Sequence, residues 1–199
     1  MTRIIAGSAR GRRLAVPPGR STRPTSDRTR EGLFAAVVAA LGTLEEAAVL
    51  DLYAGSGAVG LEALSRGASD VLLVESDPAA VQVIRRNITA VGLPGAHVLR
   101  DRAERVLSRG LSGARVRDLV FADPPYAASD GEVGKVLGLL VAFGWLAPAA
   151  LVVVERDARS GPPPWPAGYA EDRSRRYGET VLWYGRATGA SPAASTTGA

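Results

Sequence analysis

The sequence predicts an α/β fold in which a mostly parallel sheet is covered by helices on both faces. Three observations predict it. Short, near-continuously apolar runs alternate with helical segments from residue 48 onward, a glycine-rich turn joins the first such run to its helix, and past residue 160 the alternation gives way to two strand-like pieces with no long helix between them. Strands that are apolar throughout are buried on both faces, as in a parallel sheet between helix layers.

Residues 1–24 are rich in Arg, Gly and Pro. Arg3-Ile4-Ile5-Ala6 and Arg13-Leu14-Ala15-Val16, separated by turn signals, predict a small β-hairpin extension. Ser26 or Asp27 is placed to cap a helix carrying Leu33, Phe34, Val37, Val38 and Leu41 at spacings of three and four, and Gly42 ends it. The alternation then gives strands at 49–53, 71–75, 96–99, 119–122 and 150–155, with helices at 58–66, 78–91, 103–109 and 132–143. A proline-rich connection over 161–166 precedes two further strands, Tyr169-Ala-Glu-Asp and Thr180-Val-Leu-Trp-Tyr, joined by Ser174 to Gly178. Such a hairpin adds one antiparallel strand and makes the sheet seven-stranded. The expected organisation is a basic extension over 1–24, one domain over 25–186, and a tail over 187–199 of Ala, Thr, Gly, Ser and Pro with nothing to bury, expected to be disordered.

Composition narrows the chemistry. A chain of 199 residues with 46% hydrophobic content supports one substantial core. No apolar run is long enough for a membrane span, so a cytoplasmic protein is expected. Cysteine is absent and His97 is the one histidine, so disulfides and thiolate metal sites are excluded and no metal site is expected. The chain is +4 overall, yet Arg3, Arg10, Arg12, Arg13, Arg20, Arg23, Arg28 and Arg30 face only Asp27 within the first thirty residues. The remainder is therefore net acidic, and the N-terminus reads either as a basic arm for a polyanion or as a solvated, arginine-heavy segment.

A nucleoside-bearing cofactor is predicted by the first strand and its turn. Val49-Leu50-Asp51-Leu52-Tyr53 runs into Ala54-Gly55-Ser56-Gly57-Ala58-Val59-Gly60, and Glu75 ends the second strand twenty residues after Gly55. Glycines let a ligand lie against the backbone, and a carboxylate at the end of strand two accepts hydrogen bonds from a ribose diol. Gly55-x-Gly57-x-x-Gly60 also satisfies the dinucleotide fingerprint. Asp51 argues against that ligand: its carboxylate repels a pyrophosphate and suits the ammonium and sulfonium charges of S-adenosylmethionine. Asp101, after strand three, is placed either to accept from the adenine amino group or to cap the next helix.

The fourth strand delivers Asp123-Pro124-Pro125-Tyr126 to the carboxyl edge of the sheet. Two prolines make the turn rigid. Asp123 and the Pro124 carbonyl then suit the two N–H groups of an aromatic amine, with Tyr126 stacking on its ring. The motif alone does not separate guanine N2 from adenine N6. His97, Trp145, Trp165 and Trp183 are read as surface or packing residues without a role.

Taken together, Arg23-Pro24-Thr25-Ser26-Asp27-Arg28-Thr29-Arg30-Glu31, the stretch from Asp51 to Ala68 and Asp123-Pro124-Pro125-Tyr126 resemble the RsmD family of bacterial 16S ribosomal RNA guanine-N2 methyltransferases over about residues 3–185. The resemblance implies a Rossmann-like class I methyltransferase fold and S-adenosylmethionine over Asp51, Ala54, Gly55, Ser56 and Gly57, with Glu75 on the ribose. It implies transfer to one guanine of 16S rRNA, free or in a small-subunit assembly particle, by a protein expected to be monomeric. The segment around Thr25 resembles the family's cofactor-capping and RNA-facing stretch, and Arg10, Arg12, Arg13 and Arg20 become the expected phosphate contacts. The competing readings are an adenine-N6 methyltransferase of DNA or RNA, an NAD-dependent oxidoreductase, and a non-catalytic RNA-binding module on the same fold.

Overall fold

The computed structural model describes residues 2–17, 27–111 and 113–189. The chain opens with Thr2–Arg3 (β1) and Arg13–Leu14 (β2), an antiparallel pair in which Thr2 faces Leu14 and Arg3 faces Arg13. Between them the Ile4 N–H donates to the Arg12 carbonyl and the Gly11 N–H to the Ile4 carbonyl, both at 2.9 Å, so the hairpin turns tightly. Asp27–Leu41 (α1) follows, and Gly42, in the left-handed region, ends it by donating to the Val38 carbonyl.

The body alternates as expected: Ala48–Leu52 (β3), Ala58–Ser65 (α2), Asp70–Glu75 (β4), Pro78–Val91 (α3), Ala96–Arg100 (β5), Ala103–Ser108 (α4), Arg117–Ala122 (β6), Asp130–Ala142 (α5), Leu146–Asp157 (β7), Tyr169–Tyr177 (β8) and Thr180–Ala187 (β9). Local chemistry fixes the helix starts. Asp77 caps α3 through the Ala79 N–H, with Pro78 in the first turn, while Ser129 and Glu132 form a reciprocal capping box on α5.

Among the described residues, seven strands form one sheet in the order β5-β4-β3-β6-β7-β9-β8. β9 runs antiparallel to both its neighbours and the other pairings are parallel. The chain reverses its direction of travel across the sheet between β3 and β6, where open α/β sheets leave a crevice at their carboxyl ends. Alternation divides the core into two layers. Val49, Phe121, Leu151 and Val153 face α1, α2 and α3; Leu50, Leu52, Val120, Val152 and Val154 face α4 and α5. Ile4, Ala9 and Leu14 are buried in the first of these layers, so the basic extension and the body share a core.

Several boundaries are corrected, among them that of β7, which runs over Leu146–Asp157 rather than 150–155. Ser174 to Gly178 was expected to join the last two strands, but β8 continues through Tyr177, which pairs with Thr180. As the sheet's edge, β8 exposes Arg173, Arg175 and Arg176, and such a strand shows no apolar alternation; main-chain pairing to β9 decides its extent. At the other end, Ala187 belongs to β9 rather than to a tail, and residues 190–199 lie outside the described residues.

Candidate functional site

Two strand ends and two turns build the site. β3 carries Asp51, which alternation turns toward the α1–α3 layer although only 2% of its surface is exposed. Its carboxylate accepts the Gly60 N–H at 2.9 Å, tying the strand to the first turn of α2. Burial, opposed by that hydrogen bond and reinforced by the neighbouring Glu75 charge, pushes the Asp51 carboxyl up to about 7. A cationic ligand would reverse that effect.

Glu75 ends β4 and is held from both sides. One oxygen accepts the Gly55 N–H and the other the Asp77 N–H, each at 2.9 Å. The carboxylate is thus fixed against the glycine turn. The turn itself is shaped by backbone demands. Tyr53 sits at φ 62, an uncommon conformation for a residue with a side chain, and Gly57 at φ 76 caps α2. A Cβ on Gly60 would lie 2.9 Å from both Leu73 and Val71, so this glycine lets α2 press onto the sheet. At Gly55 an added Cβ would meet only the Tyr53 carbonyl, at 3.9 Å, and the rest of its surroundings is cavity.

β6 ends beside β3, where the Asp123 N–H donates to the Leu52 carbonyl at 3.4 Å, and the Asp123-Pro124-Pro125-Tyr126 turn follows. The Ala128 N–H closes on the Pro125 carbonyl at 2.8 Å, so the turn consumes the carbonyl of Pro125 rather than that of Pro124. The turn is pinned between β6 and the capping box of α5, and Tyr126 projects from it 63% exposed.

A cavity of about 430 Å³ joins these parts. Asp51, Tyr53, Ala54, Gly55, Ser56 and Glu75 line one side, Phe121 and the Asp123–Tyr126 turn the other, and Val16 and Pro17 reach it from the N-terminal hairpin. Its size suits a nucleoside-sized ligand. The donor set suits a cationic one, because two buried carboxylates, Asp51 and Glu75, face it and no Arg or Lys is among the described residues that line it.

With this geometry in view, comparison with known proteins is informative. The family model described as conserved hypothetical protein 95 matches residues 2–186. Ribosomal RNA small subunit methyltransferase D of Escherichia coli (strain K12) is 37% identical over 193 residues, spanning 96% of this chain and 93% of that protein. The chain belongs to the RsmD family. The solved structure of yhhF from Escherichia coli is also 37% identical, with a TM-score of 0.80 over 94% of this chain and 97% of that one. A hypothetical protein of Thermus thermophilus is 34% identical, with a TM-score of 0.77 over 92% and 98%.

In this RsmD-family chain the structure brings together Asp51, Ala54, Gly55, Ser56, Glu75 and the Asp123–Tyr126 turn, with Gly57 directly behind the loop as the cap of α2. Asp101 does not line the cavity. Its carboxylate pairs with Arg105 at 3.4 Å and Arg109 at 2.9 Å, and it accepts the Arg102 N–H. Thr25 and Arg20 lie outside the described residues, as does Ser26. Arg10, Arg12 and Arg13 are all exposed on the hairpin.

That hairpin is bolted to the body rather than hung from it. The fully buried Glu62 of α2 accepts the Ile5 N–H at 2.7 Å and the Ala6 N–H at 3.0 Å, and the Ser65 hydroxyl bridges the Ala6 carbonyl and the Ala9 N–H. Tyr53, Phe121, Val16 and Pro17 are among the lining residues that the reading of the sequence did not place in the site. Tyr53 was signalled by its place directly before the glycine turn; burial, with Glu104 and Glu132 nearby, pushes its hydroxyl above the ordinary range. Phe121 follows from strand alternation. Val16 and Pro17 depend on how the hairpin docks, which no local signal encodes.

Proposed function

We propose that this protein transfers a methyl group from S-adenosylmethionine to the exocyclic N2 of a guanine in small-subunit ribosomal RNA. The observation that carries the proposal is the shared cavity whose two walls are the Asp51–Gly55–Glu75 cradle and the Asp123–Tyr126 turn. The relative named ribosomal RNA small subunit methyltransferase D, matched along nearly its whole length, supplies the substrate class.

The residues fit the cofactor. Glu75, fixed by the Gly55 and Asp77 N–H groups, would accept from the ribose hydroxyls, and Asp51 would face the cationic end. Gly55 leaves room where a side chain would intrude. Bound there, S-adenosylmethionine supplies an electrophilic methyl on a sulfonium, so the protein's task is orientation rather than strong base catalysis.

Asp123 would accept one N–H of the target amine and the Pro124 carbonyl the other. Two acceptors in a rigid turn pull the nitrogen lone pair out of conjugation with the ring and aim it at the cavity. Tyr126 offers its exposed ring for stacking, as enzymes that act on an extruded base require. Arg10, Arg12 and Arg13 would hold phosphates beside the site, and Val16 and Pro17 carry that basic hairpin to the cavity's rim.

The test is transfer of labelled methyl to unmodified small-subunit particles and to free 16S RNA, with Asp123→Ala in parallel and the labelled nucleoside identified. Label in N2-methylguanosine with the wild type and loss of at least about 100-fold with the variant is expected. Label in N6-methyladenosine would overturn the base, and cofactor binding without transfer to either RNA would favour a non-catalytic module.

A further inference from the structure

α3 has an outer face that neither the core nor the cavity uses. Asp77 caps its start, and from Pro78 to Arg100 the sequence holds no Asp or Glu. Val83, Ile84 and Asn87 are buried against the body, whereas Gln82, Arg85, Arg86 and Thr89 are exposed. The helix thus turns two adjacent guanidinium groups outward with no carboxylate of its own to neutralise them.

The N-terminal hairpin is seated on this helix. Asn87 exchanges hydrogen bonds with Ala15, and the exposed Arg12 reaches across so that its guanidinium donates to the Ala90 carbonyl at 3.1 Å. Arg86 precedes Asn87 in the chain and lies one turn before Ala90 on the same face, which places it beside both attachments. Residues 2–17 also contain no Asp or Glu. Arg10, Arg12, Arg13, Arg85 and Arg86 therefore gather on two docked elements that contribute no negative charge, and among the described residues none of the five is in a salt bridge. Like charges held together on a rigid frame repel one another, and a polyanion laid over them relieves that repulsion.

The surface also leads to the cavity. The Asn87 Nδ2 donates to the carbonyl of Ser56, which lines the cavity, and Val16 and Pro17 continue the hairpin to the same rim. We propose that α3 is the second half of the RNA interface: Arg85 and Arg86 contact backbone phosphates of a strand that passes from the hairpin over the helix. This rests on the proposed function, in which RNA is the substrate. It adds a face on the body of the protein, so the RNA is held on two elements fixed to each other rather than by the hairpin alone. Phosphate contacts carry no sequence information; they set the position of the RNA relative to the cavity.

The test is filter binding of 16S RNA across a salt series, with transfer of labelled methyl from S-adenosylmethionine followed on the same protein. Replacing Arg85 and Arg86 together by Gln is expected to flatten the dependence of log K on log salt by roughly one to two and to leave cofactor affinity unchanged. Replacing both by Lys, which keeps the charge, is expected to retain most of the wild-type slope. The control replaces Arg105 and Arg109 by Gln, an exposed pair that engages Asp101 at α4, on the opposite face of the sheet, and the slope is expected to stay at the wild-type value. A wild-type slope in the Arg85 and Arg86 glutamine variant would overturn the assignment. Equal flattening in the control would overturn it too, because total charge would then account for the effect. Wild-type protein that binds S-adenosylmethionine but neither binds nor labels the RNA would instead remove the RNA methyltransferase reading, and this inference with it.

Discussion

Asn87 and Ala15 exchange hydrogen bonds in both directions. The Ala15 N–H donates to the Asn87 Oδ1 at 2.8 Å, the Asn87 Nδ2 donates to the Ala15 carbonyl at 3.0 Å, and the same Nδ2 donates to the Ser56 carbonyl at 2.8 Å. One buried side chain on α3 thereby joins the basic hairpin to the glycine-rich turn. Asn87→Ala removes all three bonds, and a loss of about 1–3 kcal/mol in denaturant-measured stability is expected. Because Val16 and Pro17 follow Ala15 to the cavity, cofactor affinity measured by calorimetry is expected to fall as well. Unchanged affinity would mean that the hairpin's seat and the cavity are independent.

Glu62 makes a second prediction about the same attachment. It is fully buried, accepts two hairpin N–H groups and pairs with the Arg66 Nε at 2.8 Å. Glu62→Gln keeps the shape but replaces an acceptor oxygen by a donor facing donors, so destabilisation by about 2–3 kcal/mol is expected. Hydrogen exchange at Ile5 and Ala6 should accelerate before that of β3 or β4. Equal acceleration throughout would mean that the hairpin and sheet open as one unit.

The raised Asp51 carboxyl predicts a pH dependence. Between its ordinary value of 3.8 and about 7, folded ligand-free protein holds a proton that unfolded chains release. The contribution of this group to stability is therefore fully present at low pH and is lost as pH rises through about 7. Binding of a cation runs the other way: affinity for S-adenosylmethionine should rise from about pH 6 to about pH 7.5, with proton release measurable by calorimetry in buffers of different ionisation enthalpy. Asp51→Asn should bind more weakly and lose that slope; a slope retained in the variant would assign the proton elsewhere.

The arginines of the hairpin should act on RNA alone. Replacing Arg10, Arg12 and Arg13 together by Ala is expected to leave cofactor affinity unchanged and to flatten the dependence of log K for RNA on log salt by about two to three. Filter binding across a salt series measures this. A slope equal to that of the wild type would take the hairpin out of the RNA interface.

Legibility in the sequence followed burial. β3, β4 and β6 are buried on both faces and announce themselves as apolar runs, and α3 is bounded by Asp77 and Pro78 at one end and Gly92 at the other. β8 did not, because an exposed edge strand is written in charged residues that suit a loop equally well. The site divides similarly. Asp51, Glu75 and Asp123 lie at or just past the carboxyl ends of β3, β4 and β6, where the strand pattern places them at the sheet edge. Asn87 matters through a docking contact, which is not a property of neighbouring residues in the chain. Asp101 shows the converse, since position after a strand favoured a ligand contact while Arg105 and Arg109, one helical turn away and beyond, engage the side chain.

The hairpin's attachments have a consequence for how the protein is made. Its residues leave the ribosome before the body elements they dock on exist: Ile5 awaits Glu62, 57 residues later, and Ala15 awaits Asn87, 72 residues along from it. Synthesis proceeds at roughly 5–20 residues per second, so Ile4 and Leu14 wait several seconds for the layer that buries them. The hairpin is thus translated before the layer that buries it and docks only once α3 has emerged.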